Sequence, residues 1–183
     1  GLNFSNCITG YQPHKYIVEA NLGSSAASYN DLPLFRMAEV YLNYAEAKAE
    51  LGEITQGDLD ISVNKIRARA KMPNLNLMAA NDSPDPYLSS AETGYANVTG
   101  ANKGVILEIR RERNIELVLE SQNRWWDLMR WKEGACIGQK MEGLYIPADK
   151  IGKAYDVNGD GNADICVYSG TQPSVKENVT WFN

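Results

Sequence analysis

The run Asp156-Val157-Asn158-Gly159-Asp160-Gly161-Asn162-Ala163-Asp164 holds the sharpest chemical signal in the chain. Asp156, Asn158 and Asp160 stand at positions 1, 3 and 5 of a pattern whose oxygens converge on one centre. Gly161 at position 6 permits the sharp turn, Asn162 at position 7 can offer a carbonyl, and Asp164 at position 9 a carboxylate. Ca2+, a hard cation, suits such an oxygen cage. Val167 stands where an EF-hand has its bidentate Glu at position 12, so this is not a full EF-hand. An ion-free Asn/Asp/Gly turn accounts for the same residues. No catalytic apparatus surrounds the run, so a bound ion here would staple a loop.

Other chemistry is sparse. The only histidine, His14, follows Pro13 and reads as a surface residue. No GxSxG, HExxH or phosphate loop is present, and no pair of carboxylates stands out as a glycosidase pair, so the expectation is a protein that is not an enzyme. Cys7, Cys136 and Cys166 lack zinc spacing; a Cys136–Cys166 disulfide and three separate thiols are both open. Tyr87 and Tyr95 are the only aromatics of a long Pro-, Asn- and Ser-rich stretch at 73–103. Pinning that stretch to neighbouring helices is their plainer role. As candidate ligand contacts they offer flat apolar rings beside Asn amides that can bond hydroxyls.

At 183 residues the chain is expected to form one domain. Its net charge of −5 argues against a nucleic-acid partner. No apolar run is long enough to span a bilayer, and no signal peptide opens the chain at Gly1, which suits a protein kept inside the cell or a processed piece.

Hydrophobic periodicity predicts a mainly α fold. The clearest helix covers 34–51, with Pro33 in its first turn, Asp31 or Leu32 at its cap and Gly52 as its left-handed stop. Its polar face is Arg36, Glu39, Asn43, Glu46 and Glu50; Met37, Val40, Tyr41, Tyr44, Ala47 and Leu51 form an apolar face. Ala38, Leu42, Ala45 and Ala49 make a small-residue side that lets another helix approach. Thr55-Gln56-Gly57-Asp58 caps a second helix to about Ala70, with Leu59, Val63, Ile66 and Ala70 inward. The pair has the length of a tetratricopeptide hairpin, about 34 residues. Two further helices are predicted over 103–120 and 124–132, separated by a corner at Ser121-Gln122-Asn123. Ile115, Val118, Leu119, Trp125, Trp126 and Met129 form the stripe expected to face the core, and Trp131 is expected there too; Arg and Glu between them are expected to be solvated or paired along a face. Residues 134–183 read as irregular, with short extended runs at 144–147 and 165–168 and a buried Trp181-Phe182. Before the first helix, 10–13 reads as a turn, 14–20 as an extended or irregular piece and 23–28 as a small-residue loop.

These segments resemble the SusD/RagB family. Leu34-Phe35-Arg36-Met37-Ala38-Glu39-Val40-Tyr41-Leu42-Asn43-Tyr44-Ala45-Glu46-Ala47 is similar to its LxRxAEVxLNYAEA run, and Asn64-Lys65-Ile66-Arg67-Ala68-Arg69-Ala70 to its NxIRxRAG run. Arg110, Arg111, Glu112, Arg113, Glu116, Leu117, Glu120, Arg124, Asp127, Leu128, Arg130 and Trp131 fit IxxERRxELxxEGxRxxDLxRW in order. The resemblance covers most of 10–133. It implies a tetratricopeptide-like scaffold of helical hairpins with long irregular loops and a few short strands. It also implies a lipid-anchored protein on the outer face of the outer membrane, binding glycan and delivering oligosaccharide to a TonB-dependent transporter. A tetratricopeptide-type protein- or peptide-binding scaffold is the alternative, and a calcium-assisted glycan hydrolase a third. Family members are several times longer and carry a lipid-bearing cysteine and early hairpins, so this chain corresponds to their C-terminal portion, without the anchor. Lys71 and Ser121 stand where the family often has Gly, which puts the local turns in question. The Asp-rich run, for its part, resembles the DxNxDGxxD loops of dockerins and integrin-type propellers.

Overall fold

The computed structural model describes residues 15–16, 31, 33–120, 123–138, 145–157, 159–175 and 179–182. The expectations for Cys7, residues 10–13, His14 and the stretch 17–28 lie outside them, as do those for Leu32, Ser121, Gln122, Leu144 and Asn158. The side chain of Phe182 lies outside them as well. The chain divides into two compact units, residues 14–140 and residues 1–13 with 141–183, which are described separately.

The larger unit is built around α6 (Lys103–Glu116). Against it lie α1 (Met37–Glu50), α3 (Val63–Arg69), α4 (Leu77–Asp82) and α5 (Pro86–Ser89). The fold is mainly α with short strands, as the periodicity predicts.

Helix α1 is shorter than expected. Arg36 is its N-cap in an extended conformation, so Pro33 precedes the helix and does not form its first turn. Gly52 ends it as expected, at φ +76°: Gly52 N–H bonds Ala49 O at 3.1 Å and Glu53 N–H bonds Lys48 O at 3.0 Å, a Schellman motif. The buried side of α1 is the small-residue one, Ala38, Leu42, Ala45 and Ala49, together with Glu46. Met37, Val40, Tyr44 and Leu51 of the apolar face are exposed, contrary to what their apolar character suggests. The reason is that the polar face is the one bonded to neighbouring helices. Glu39, Asn43, Glu46 and Glu50 meet arginines of α6 and α7 (Asn123–Trp131).

Thr55 and Asp58 form the capping box that starts α2 (Gln56–Ile61). Ser62, fully buried at φ −126°, ψ −96°, then breaks what periodicity predicts as one helix, and α3 follows. Leu59, Val63 and Ile66 face inward as expected, whereas Ala70 is exposed. Lys71 takes the left-handed conformation itself, at φ +56°. Its N–H bonds Ala68 O at 3.1 Å while Met72 N–H bonds Arg67 O at 2.8 Å, so the helix ends as it would with glycine.

Residues 73–103 are not one irregular loop. Asn76 caps α4 and Asp85 caps α5, and amide side chains replace missing backbone partners. Asn64 brackets Leu75 from both sides, accepting its N–H at 2.7 Å and donating to its carbonyl at 3.2 Å. Asn81 accepts the Val105 N–H at 2.9 Å. Beside it, a Cβ on Gly104 would sit 1.8 Å from Ala80 O, so α4 and α6 touch backbone to backbone.

The smaller unit contains a three-stranded sheet in the order β1 (Ala154–Tyr155), β2 (Ile165–Val167), β3 (Thr180–Phe182). β1 and β2 are antiparallel, with Tyr155 opposite Ile165. β2 and β3 are parallel, with Cys166 opposite Trp181. Trp181 is partly buried and meets Tyr168 edge-on, centroids 5.9 Å apart. Residues 145–147 form no strand. Cys136 and Cys166 are both free thiols, so they share no disulfide.

Gly104→Ala is expected to lower stability by about 3 kcal/mol, since two backbones must separate. Lys71→Gly is expected to raise it by about 0.5–1 kcal/mol by relieving the left-handed lysine. Urea unfolding midpoints of the two variants check both.

Candidate functional site

The two tyrosines of the 73–103 stretch have opposite environments. Asp85 fixes α5 by accepting the Tyr87 N–H at 2.8 Å and the Leu88 N–H at 3.2 Å, and Arg111 holds the other Asp85 oxygen at 2.9 Å. The backbone under Tyr87 is therefore rigid while its ring is 63% exposed. Tyr95 is 3% exposed. Its ring meets Trp131 edge-on at 5.5 Å, and Arg124 Nη1 donates to its hydroxyl at 2.7 Å. Burial pushes the Tyr95 phenol above its ordinary pKa against the pull of Arg124. Tyr95 offers no ring face to a ligand and pins the stretch to α7; Tyr87 does present one.

The Asp-rich run connects β1 to β2. Gly159 and Gly161 take φ +80° and +89°, the turn expected at Gly161 included. Asp156 accepts the Gly159 N–H at 2.6 Å and the Gly161 N–H at 2.7 Å. Asp160 accepts the Asn162 N–H at 2.8 Å, and Asp164 the Val157 N–H at 2.9 Å. Among the described residues no three His, Cys, Asp or Glu side chains converge as metal ligands. The oxygens bond the loop's own amides.

The signature helices depart most from expectation. Trp131 is buried, but Ile115, Val118, Leu119 and Met129 are exposed, as are Trp125 at 52% and Trp126 at 61%. Arg110, Arg113, Glu120 and Asp127 are buried instead. Arg113 Nε donates to Asp127 at 2.6 Å and Nη1 to Asn43 at 2.7 Å. Arg130 Nη2 and Trp131 Nε1 donate to Glu46 at 2.7 Å and 2.5 Å. Burial raises the Glu46 carboxyl, but the Arg130 and Trp131 bonds outweigh it and leave the group below the usual carboxylate range. Glu120 accepts from Arg36 Nε at 2.8 Å and from Lys15. Burial raises its carboxyl too; Arg36 and Lys15 outweigh that and hold it at about 2. The exposed tryptophans escaped sequence reasoning because a buried ion-pair face has the same 3.6-residue period as an apolar one. The usable signal was the alternation of Arg with Glu or Asp at positions flanked by Leu117, Leu128 and Trp131.

Where α6 turns into α7, a cleft of about 100 Å³ opens. Arg113, Glu120 and Asp127 reach it from the buried side, and Asn114, Asn123 and Arg124 line its mouth.

Both carboxylates have folded-state pKa values below their unfolded ones. Their stabilisation is therefore present above about pH 5 and is lost as the pH falls through the folded-state values; for Glu120 the loss extends to about pH 2 and amounts to roughly 3 kcal/mol. Acid unfolding is expected over that window, and Glu120→Gln is expected to flatten the slope in a pH series of thermal melts.

Searches of curated proteins and of solved structures returned no match. The SusD family model matches residues 3–178, nearly the whole chain. The chain belongs to the SusD (SusD/RagB) family.

Proposed function

We propose that this protein binds nutrient oligosaccharide at the cell surface and delivers it to a TonB-dependent outer-membrane transporter. Family membership itself implies glycan or nutrient binding at the cell surface, and members of the family are binding proteins. The delivery step, the lipoprotein anchor and the tetratricopeptide-like character of the hairpins are our extension of it. No helix among the described residues is long and apolar enough to cross a membrane, which is compatible with attachment from outside the bilayer.

The match over residues 3–178 carries the reading. Exposed rings on fixed backbone support it: Tyr87 on α5, and Trp125 and Trp126 on α7, give flat apolar faces for sugar C–H groups. Glycan-array screening of the purified chain tests the reading, and the absence of any glycan hit would reject it. For a glycan so identified, Tyr87→Ala is expected to weaken binding about tenfold with no change in melting temperature. Tyr95→Phe is expected to cost about 1 kcal/mol of stability, the value of the Arg124 hydrogen bond.

A peptide-binding scaffold is the second reading. It is favoured by the exposed apolar row Met37, Val40 and Tyr44 on α1, which has the spacing that receives an amphipathic helix.

We further propose that the loop 156–164 takes Ca2+ through Asp156, Asn158, Asp160, Asn162 and Asp164, an assignment supported by their spacing. Calcium added after chelation is expected to raise the melting temperature, and Asp160→Ala to abolish the rise. A melt indifferent to calcium would leave an Asx-turn loop with no ion.

A further inference from the structure

We propose that the cleft at the α6–α7 corner is a subsite for the carboxylate of an acidic sugar, a uronic acid residue, anchored by Arg124. The proposal rests on the glycan-binding reading and adds the ligand's chemical class. Every other arginine of the chain makes an ion pair with a carboxylate. Arg124 makes none among the described residues. Its Nη1 donates to the Tyr95 hydroxyl, and its guanidinium lies 5.4 Å from the Tyr95 ring, which holds the group in place. Nε and Nη2 make no hydrogen bond among the described residues and form the edge that chelates a carboxylate through two parallel bonds.

The carboxylates in the cleft do not compete for this cation. Glu120 is bonded by Lys15 and Arg36, and Asp127 by Arg113 and Arg130. The charge left at the cleft is that of Arg124, which selects an anionic group. The side-chain amides of Asn114 and Asn123 have no hydrogen-bond partner among the described residues. They supply donors and acceptors for hydroxyls next to that group. Val118 and Leu119, also in the lining and exposed, offer apolar contact for a ring face. A volume of about 100 Å³ admits a carboxylate and its neighbouring carbons, with the rest of an oligosaccharide outside.

The test is calorimetric titration of the full chain with three probes: trigalacturonate, the neutral trisaccharide maltotriose, and triglutamate. Trigalacturonate is expected to bind at least tenfold more tightly than maltotriose. Arg124→Lys keeps the charge but loses the two-pronged edge, and is expected to weaken trigalacturonate binding about ten- to hundredfold. Asn114→Ala with Asn123→Ala, which removes no described hydrogen bond, is expected to weaken it about fivefold at an unchanged melting temperature. Unchanged trigalacturonate affinity in both variants overturns the subsite. Maltotriose binding without trigalacturonate binding overturns it and leaves the glycan reading standing. Triglutamate binding through Arg124, with neither sugar bound, overturns both.

Discussion

Charge pairing across the α1–α6–α7 interface is the constraint on which the larger unit depends. Arg110, Arg113 and Arg130 project from α6 and α7 onto Glu50, Glu39 and Glu46 of α1, with Asp127 between Arg113 and Arg130. Arg113 and Asp127 are buried on both sides of their pair, and removing either strands its mate at a cost of about 3–5 kcal/mol. This gives the interface register more than raw strength. The small residues of α1 permit the approach, and the ion pairs select one rotation of the helix. Arg110 completes the arrangement by stacking over Trp131, 4.4 Å from its ring. The aromatic core and the charged lattice are thus one structure.

That choice of rotation explains which parts of the fold could be read from the sequence. The helices at 37–50 and 103–116, the Thr55 capping box, the Gly52 stop and the strand at 165–167 follow from local chemistry. They were legible because each depends on a few adjacent residues. Burial was not legible for α1 and α7. Polar residues usually face water, so Glu39, Asn43 and Glu46 read as a wet strip and Trp125 and Trp126 as core. Pairing with arginines of α6 and α7 buries Glu46 and holds Glu39 and Asn43, while Trp125 and Trp126 stay exposed. The break at Ser62 was hidden for a different reason, because apolar spacing continues through it from Leu59 to Val63 and Ile66.

The candidate site was legible to a lesser degree. Tyr87 and Tyr95 are chemically alike and eight residues apart in the chain. What separates them is Arg124, remote in sequence, whose guanidinium claims the Tyr95 hydroxyl. The cleft beside Arg124 depends on how α6 is turned into α7, and no motif spells that turn. The 156–164 run is the converse case. Its spacing is informative by itself, and the fold adds only that the run bridges two antiparallel strands.

The two left-handed lysines have an electrostatic side. Lys71 and Lys132, at φ +56° and +57°, each stand just past a helix end with the bonds a glycine would make. Carbonyl groups at such an end carry the negative pole of the helix macrodipole, and an ammonium there is favourable by about 0.3–1 kcal/mol at low ionic strength. Steric strain and dipole attraction therefore oppose one another at both positions. Salt weakens only the attraction, so these turns trade shape against charge in a balance set by the ionic strength of the medium.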